Sequence, residues 1–470
     1  MAARILRHRN CSDTVLPVNP SNPPLSASAD PLQAGPARGS TLLPPDDGLR
    51  GVLHGEIHAR PPARIDLPAL VVLVTVLNEG VDRSAECDHL NRLPGQGGLA
   101  AADLQLNFMR LRLDGATLRW ERHGEFTRYV LIQALPENML ADGAGSALHS
   151  SLRVEPAWLA AIPGRTIAAI QLAMVTGDLS EPQVALASAQ QWFGGRTVVA
   201  SLLGNGHSLA LTDFHLQADG FERMLVIARP GTSRARAGRI AQRLLDLETY
   251  RLMSLRGLPS AKELAPVLAQ SEAALADITA RLESRTSSED DLLDTLIHVA
   301  AGVERATAQH AYRFSATQAY DALVRQRIVE MRELPVPGTQ TIGEFMQRRL
   351  SPAIATVVAA SQRLGSLSQR IERTSGLLRT RVDIATEKQN HQLLAKLTRG
   401  QELQLKLQAT VEGLSIAAIS YYVVSLLLYG AKSLKALGVP VQPEVAAGAL
   451  IPVVLFGVWR LTRRIHARLH

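Results

Sequence analysis

The sequence predicts an α+β domain, then long antiparallel helices forming a stalk, then a C-terminal two-helix transmembrane hairpin. Three observations predict it. Apolar runs of period two, separated by turn residues, fill much of 49–232. No proline occurs between Pro352 and Pro440, and in that interval a polar, periodic helix runs straight into the apolar stretch 411–430. A second apolar stretch, 445–461, precedes an arginine-rich tail over 462–470.

In chain order, residues 1–48 are rich in Pro, Ser, Gly and Asp and lack periodicity, so a disordered segment is expected. Arg4, Arg7 and Arg9 are followed by Pro17, Pro20, Pro23 and Pro24 instead of an apolar segment. No cleavable secretion signal is expected there, and the body is expected in the cytoplasm. In the α+β domain, 49–232, the β-branched run 67–77 suits a buried strand. Strands are also expected over 104–113, 117–122, 128–135, 167–175, 197–203, 208–216 and 222–228, with short helices over 84–93 and 155–161. Asp114-Gly115, His123-Gly124, Asn205-Gly206 and Asp219-Gly220 supply turns between them. The similar layout of the two halves raises the question of an internal duplication.

The stalk, 233–410, opens with a helix over 235–255 that Gly257 and Pro259 stop. A second is expected over 260–285. Ser288 caps a third that reaches about residue 333, with Glu289, Asp290 and Asp291 complementing its first-turn dipole. Thr341 and Glu344 form a capping box, and Ser351-Pro352 reads as an N-cap followed by a first-turn proline. The last helix carries a heptad seam of Val357, Ser361, Leu364, Ser368, Ile371, Ser375, Leu378, Val382 and Ala385. Packing against the 288–333 helix of the same chain and self-association between chains both fit that spacing. Stalk and first span together would reach about 110 Å.

The hairpin, 411–461, is expected to use a span from Val411 that has the length to cross a bilayer. Glu412 is its only formal charge, at the entering end; Tyr421, Tyr422 and Tyr429 add amphipathic character, and Tyr429 suits an interface. Pro452 would kink the second span. Gly413 and Ala417 form a small-xxx-small pair suited to close helix contact. Arg460, Arg463, Arg464 and Arg468 outnumber Lys432 and Lys435 of the intervening loop, which favours body and both termini on the cytoplasmic side. Ser415, Ser420 and Ser425 keep open a competing reading, a pair of buried core helices.

The chain has 470 residues, 50 Lys+Arg against 43 Asp+Glu and two cysteines, Cys11 and Cys87. No disulfide framework or zinc spacing is present. The arginines are dispersed and lack interleaved aromatics, which argues against a single-strand nucleic-acid binder and fits an anionic membrane surface. His54, Glu56 and His58 alternate, so on an extended strand they would share a face able to hold a metal; the plainer reading is a polar segment docked by hydrogen bonds. Asp213 and His215 repeat the alternation. Asp246, Glu248 and Glu330 lie among arginines on helices, where solvated ion pairs are expected. Neither a nucleophile elbow nor a phosphate loop nor a dinucleotide fingerprint is present, so no cofactor is identified.

The segments LHGEIHARPPARI from Leu53, DFHLQADGFERMLV from Asp213, GRIAQRLLDLETYRLMSLRGLP from Gly238 and TVEGLSIAAISYYVVSLL from Thr410 resemble the domain-of-unknown-function family numbered 3422. The resemblance implies a bacterial protein with a membrane anchor at the C-terminus and no established activity; the charge pattern above places it at the inner membrane. The layout is also similar to that of CorA-type magnesium channels, whose first span ends in Tyr-Gly-Met-Asn. Here Tyr429-Gly430 is followed by Ala431 and Lys432, and a lysine at a cation entrance is a barrier. The expectation is a non-enzymatic membrane scaffold or sensor that forms homo-oligomers without conducting magnesium. A channel and a metal-dependent tethered enzyme are the alternatives.

Overall fold

The structure, a computed structural model, describes residues 48–50, 53, 61–135, 152–284, 288–437 and 442–469. Of the segment 1–48 only Gly48 is among them. The chain divides into Met1–Arg60 and Pro61–His470, and every strand and long helix described belongs to the second part.

β1 (Ala69–Leu77) is buried at every position. Ala69, Val71 and Leu73 enter one core, and Leu70, Val72, Val74 and Val76 enter another on the opposite face. A strand covered on both faces gains from apolar side chains everywhere, which is why the run 67–77 shows no alternation. α1 (Arg83–Asn91) follows, with Asp82 accepting from the Ala85 amide at 2.8 Å. A meander comes next: β2 (Phe108–Leu113), β3 (Ala116–Arg122) and β4 (Phe126–Ala134). β2 starts later than the expected 104, because Ala101–Leu104 form a 3-10 turn that buries Leu104, and Asn107 takes φ 56. The second half runs α2 (Pro156–Ala160), β5 (Arg165–Thr176), α3 (Pro182–Gln190), β6 (Val199–Leu203), β7 (Ser208–Leu216) and β8 (Glu222–Ala228). The sequence reading did not anticipate α3. Its alanine-rich segment has little periodicity, and Leu186 and Ala189 are buried in a cluster that includes Trp192, Phe193 and strand residues such as Leu209 and Leu225.

With β9 (Leu334–Pro335) the strands form one sheet in the order β2-β3-β4-β1-β5-β8-β7-β6-β9. The strand order β2-β3-β4-β1 in one half echoes β6-β7-β8-β5 in the other. However, β4 is antiparallel to β1 whereas β8 is parallel to β5. The second meander therefore runs in the opposite sense, and the halves are not a simple duplication.

α4 (Arg234–Leu255) lies on one face of the sheet through Ala237, Ile240, Ala241 and Leu244. Gly238 allows the close approach: a Cβ there would collide with the carbonyl oxygen of Ala63. α5 (Gly257–Ser284), α6 (Glu289–Met331), α7 (Ile342–Arg349) and α8 (Ser351–Ala436) complete the body. The caps at Ser288 and Thr341 are present as expected, the latter as a full capping box. Ser351 is not a cap. Leu350 keeps helical dihedrals, and its amide donates to the Met346 carbonyl while its carbonyl accepts from Ile354. α7 therefore runs almost unbroken into α8, and Pro352 sits in a first turn where its missing N–H costs little.

α5, α6 and α8 share one core, so the stalk helix packs within its own chain. The seam is Val357, Ala360, Leu364, Leu367, Ile371, Thr374 and Leu378. Ala360, Leu367 and Thr374 replace the expected Ser361, Ser368 and Ser375, of which Ser375 is exposed and the others half-buried. Both registers have heptad spacing, and burial selects the one that replaces three serines by Ala360, Leu367 and Thr374. α8 has 86 residues and a length of about 130 Å. It continues to Ala436, so Lys432 and Lys435 are helical and not part of a loop. α9 (Pro443–Leu469) follows and continues through Pro452.

Candidate functional site

His54, Glu56 and His58 lie outside the described residues. Asp213 and His215 do not form a shared-face pair. Phe214 between them takes φ 48 in a break of the β7/β8 register, and Asp213 accepts from the His215 amide and pairs with Arg196 at 3.2 Å. Among the described residues no group of three or more His, Cys, Asp or Glu is placed to hold a metal ion.

A chain of paired charges runs through the interior of the body. Arg119 and Glu121 on β3 pair at 2.6 Å, and Glu121 lies 3.6 Å from Arg128 of β4. Arg128 reaches Asp246 of α4 at 2.5 Å, Asp246 pairs with Arg327 of α6 at 3.2 Å, and Arg327 pairs with Glu330 at 2.6 Å. Arg243 closes the series at 3.7 Å from Glu330. Signs alternate along the whole chain of groups, so each buried charge has an opposite neighbour. Burial pushes the Glu121 carboxyl up, but His123, Arg128 and Arg119 outweigh it and hold the group at about 2. Asp246 is 3 % exposed and Glu248 0 % exposed, so these two are not the solvated surface ions expected from sequence. A helical arginine-carboxylate spacing looks the same whether or not a sheet lies on top of it.

A second cluster joins Glu248 and Arg251 of α4 to Glu222 of β8. Arg251 Nε donates to both Glu248 oxygens at 2.8 Å, and Arg251 Nη2 lies 3.4 Å from Glu222 Oε1. Burial, together with the Glu248 charge, pushes the Glu222 carboxyl up to about 9, so it is protonated at neutral pH. On the other face of the sheet His89 stacks on Trp158 at 4.3 Å, and burial lowers its imidazole to about 4. It sits there as a neutral, packed ring. These clusters tie strands to helices and hold the layers in register.

Beyond the body the apolar helices are bare. Two helical stretches, one in Ile342–Ala436 and one in Pro443–Thr462, are long and apolar enough to cross a membrane, and only 6 % of either apolar window is buried. That low burial removes the reading of a buried core pair. Val411, Tyr421, Tyr422 and Tyr429 are 62–72 % exposed. α8 and α9 pack on each other, with Ser420 and Ala447 buried at the contact. Gly413 and Ala417 are exposed, off that contact, and Glu412 is half-buried. Lys432 lies over the Tyr429 ring at 5.9 Å. Arg460 and Arg464 are exposed near the end of α9; the side chains of Arg463 and Arg468 lie outside the description.

A mixed sheet carrying long helices and two exposed apolar helical stretches defines a class of architecture. The family model described as protein of unknown function (DUF3422) matches residues 45–469, and the chain belongs to that family. No curated protein and no solved structure matches the chain.

Proposed function

We propose that the protein is a non-enzymatic scaffold or sensor of the bacterial inner membrane, anchored by a hairpin of α8 and α9 and assembled from several copies. The observation that carries this reading is the bareness of the apolar windows, of which 6 % is buried. Exposing such apolar side chains to water costs free energy, and a lipid interior removes that cost. The arginines Arg460 and Arg464, exposed on α9, support a cytoplasmic end for the hairpin, and with it a cytoplasmic body.

Self-association draws support from α8. Residues 386–411 are exposed along their whole length. Leu393, Leu397, Leu403, Leu407, Val411 and Leu414 are nonetheless 57–74 % exposed. At about 100° per residue they fall within a single arc, on the face that carries Val357 to Leu378 lower down. The stripe thus continues a seam that α5 and α6 cover only in its first part, and a second copy of α8 is the occupant that matches it.

Topology reporters test the anchor. Fusions at His470 are expected to report a cytoplasmic location, and fusions placed between α8 and α9 a periplasmic one. A periplasmic signal at His470 would overturn the hairpin.

A further inference from the structure

Where the β6–β7 turn meets the start of α4 and the end of α6, the body opens a cleft of about 380 Å³. Arg236, Arg239 and Arg243 line it from α4, and their spacing puts them on one helix face. Arg332 enters from the end of α6, in a left-handed cap conformation at φ 47. Four guanidiniums thus face one carboxylate, Glu330, which Arg327 and Arg243 already neutralise. Arg236, Arg239 and Arg332 are exposed and form no ion pair among the described residues. The backbone amides of Gly204 and Asn205 are committed to the Met331 and Arg332 carbonyls, so the cleft wall is fixed and its free donors are side chains.

We propose that this cleft binds a phosphate-bearing anion. Uncompensated positive charge converging on a concave wall is unfavourable when empty and favourable when an anion fills it. Guanidinium forks match phosphate oxygens in pairs, a geometry that lysine-rich surfaces lack. The apolar floor is Leu203, Ile240 and Met331, with no aromatic platform for a base, so recognition centres on the phosphate. His207 at the rim records the local field: burial lowers its imidazole first, and Arg236 and Arg229 lower it further. Its ring already contacts the Ser208 hydroxyl at 2.8 Å, which holds it against the wall. A free phosphorylated metabolite carries this chemistry.

The probe is inorganic pyrophosphate, titrated calorimetrically into the full-length protein in neutral detergent at near-physiological ionic strength. Saturable binding is expected, and the Arg236→Gln/Arg239→Gln double variant is expected to weaken it about tenfold or more, since two charge-assisted partners are lost. Both residues are exposed, and unliganded melting temperature checks that the fold persists. Arg110→Gln/Arg112→Gln on β2, also exposed, removes the same charge elsewhere and is expected to leave affinity unchanged. Absence of saturable binding, or an equal loss in the β2 control, would overturn the proposal.

Discussion

Glu222 shows how a single residue can set the pH response of the fold. Its carboxyl lies against Arg251, yet burial and Glu248 dominate and push it up to about 9. The folded state therefore holds a proton that the unfolded chain, near an ordinary 4.5, releases. The stability linked to that proton is full below about pH 4.5 and is lost as pH rises toward about 9. Glu222→Gln keeps the neutral shape and removes the titration. Thermal unfolding is expected to show the wild-type melting temperature falling from pH 5 to pH 9, with a smaller fall in the variant; the difference is on the order of a few kcal/mol. Parallel curves would mean that Glu222 is ionised in the fold. His89 carries the opposite sign: with its imidazole lowered to about 4, its contribution is lost as pH falls below its ordinary 6.5.

At the scale of elements, two glycines in helices have opposite meanings. Gly238 lets α4 press against Ala63, whereas a Cβ on Gly302 of α6 would meet open space. Gly238→Ala is expected to cost about 3 kcal/mol through overpacking against backbone. Gly302→Ala is expected to stabilise by about 0.5–1 kcal/mol through helix propensity alone. Denaturant melts of the two variants check this; equal effects would show that α4 and the Ala63 segment can move apart freely. Gly257 belongs with Gly238: a side chain there would meet Thr317 and Val357, so the α4–α5 corner is held by close packing onto α6 and α8.

For the whole molecule the open question is assembly. Burying one leucine contributes about 1.5–3 kcal/mol, and association costs about 4–15 kcal/mol. Leu393, Leu397, Leu403 and Leu407 alone would therefore support a weak contact, to which the apolar stretches of α8 and α9 would have to add. Leu397→Glu/Leu403→Glu/Leu407→Glu is expected to lower the oligomeric mass measured in detergent by light scattering, with the body still folded. An unchanged mass would move the contact elsewhere, the exposed Gly413 and Ala417 face being next. In proteoliposomes the assembly is expected to pass no magnesium, because Lys432 stands after the first span; uptake reduced by Glu412→Ala would replace the scaffold reading with a channel.

Local pattern determined most of the elements, α3 and β9 excepted. Turn residues such as Asp114-Gly115 and Asn205-Gly206, the capping residues Ser288 and Thr341, and the apolar lengths near the C-terminus are read by short-range physics, and the strands, helices and bare apolar stretches follow them. The tertiary structure decided what depends on neighbours distant in sequence. The direction of β8 beside β5, the choice of Ala360 and Leu367 over Ser361 and Ser368 in the seam, and the helical backbone at Leu350 all depend on which surface each element meets. So does the fate of charge. Asp246 and Glu248 have the spacing of surface ion pairs, and only the sheet above them makes them interior groups. Arg236 and Arg332 lie far apart in the chain, and only the packing of α4 against the end of α6 brings them to one cleft. Dielectric environment and convergence are properties of three-dimensional neighbours, and a linear pattern does not carry them.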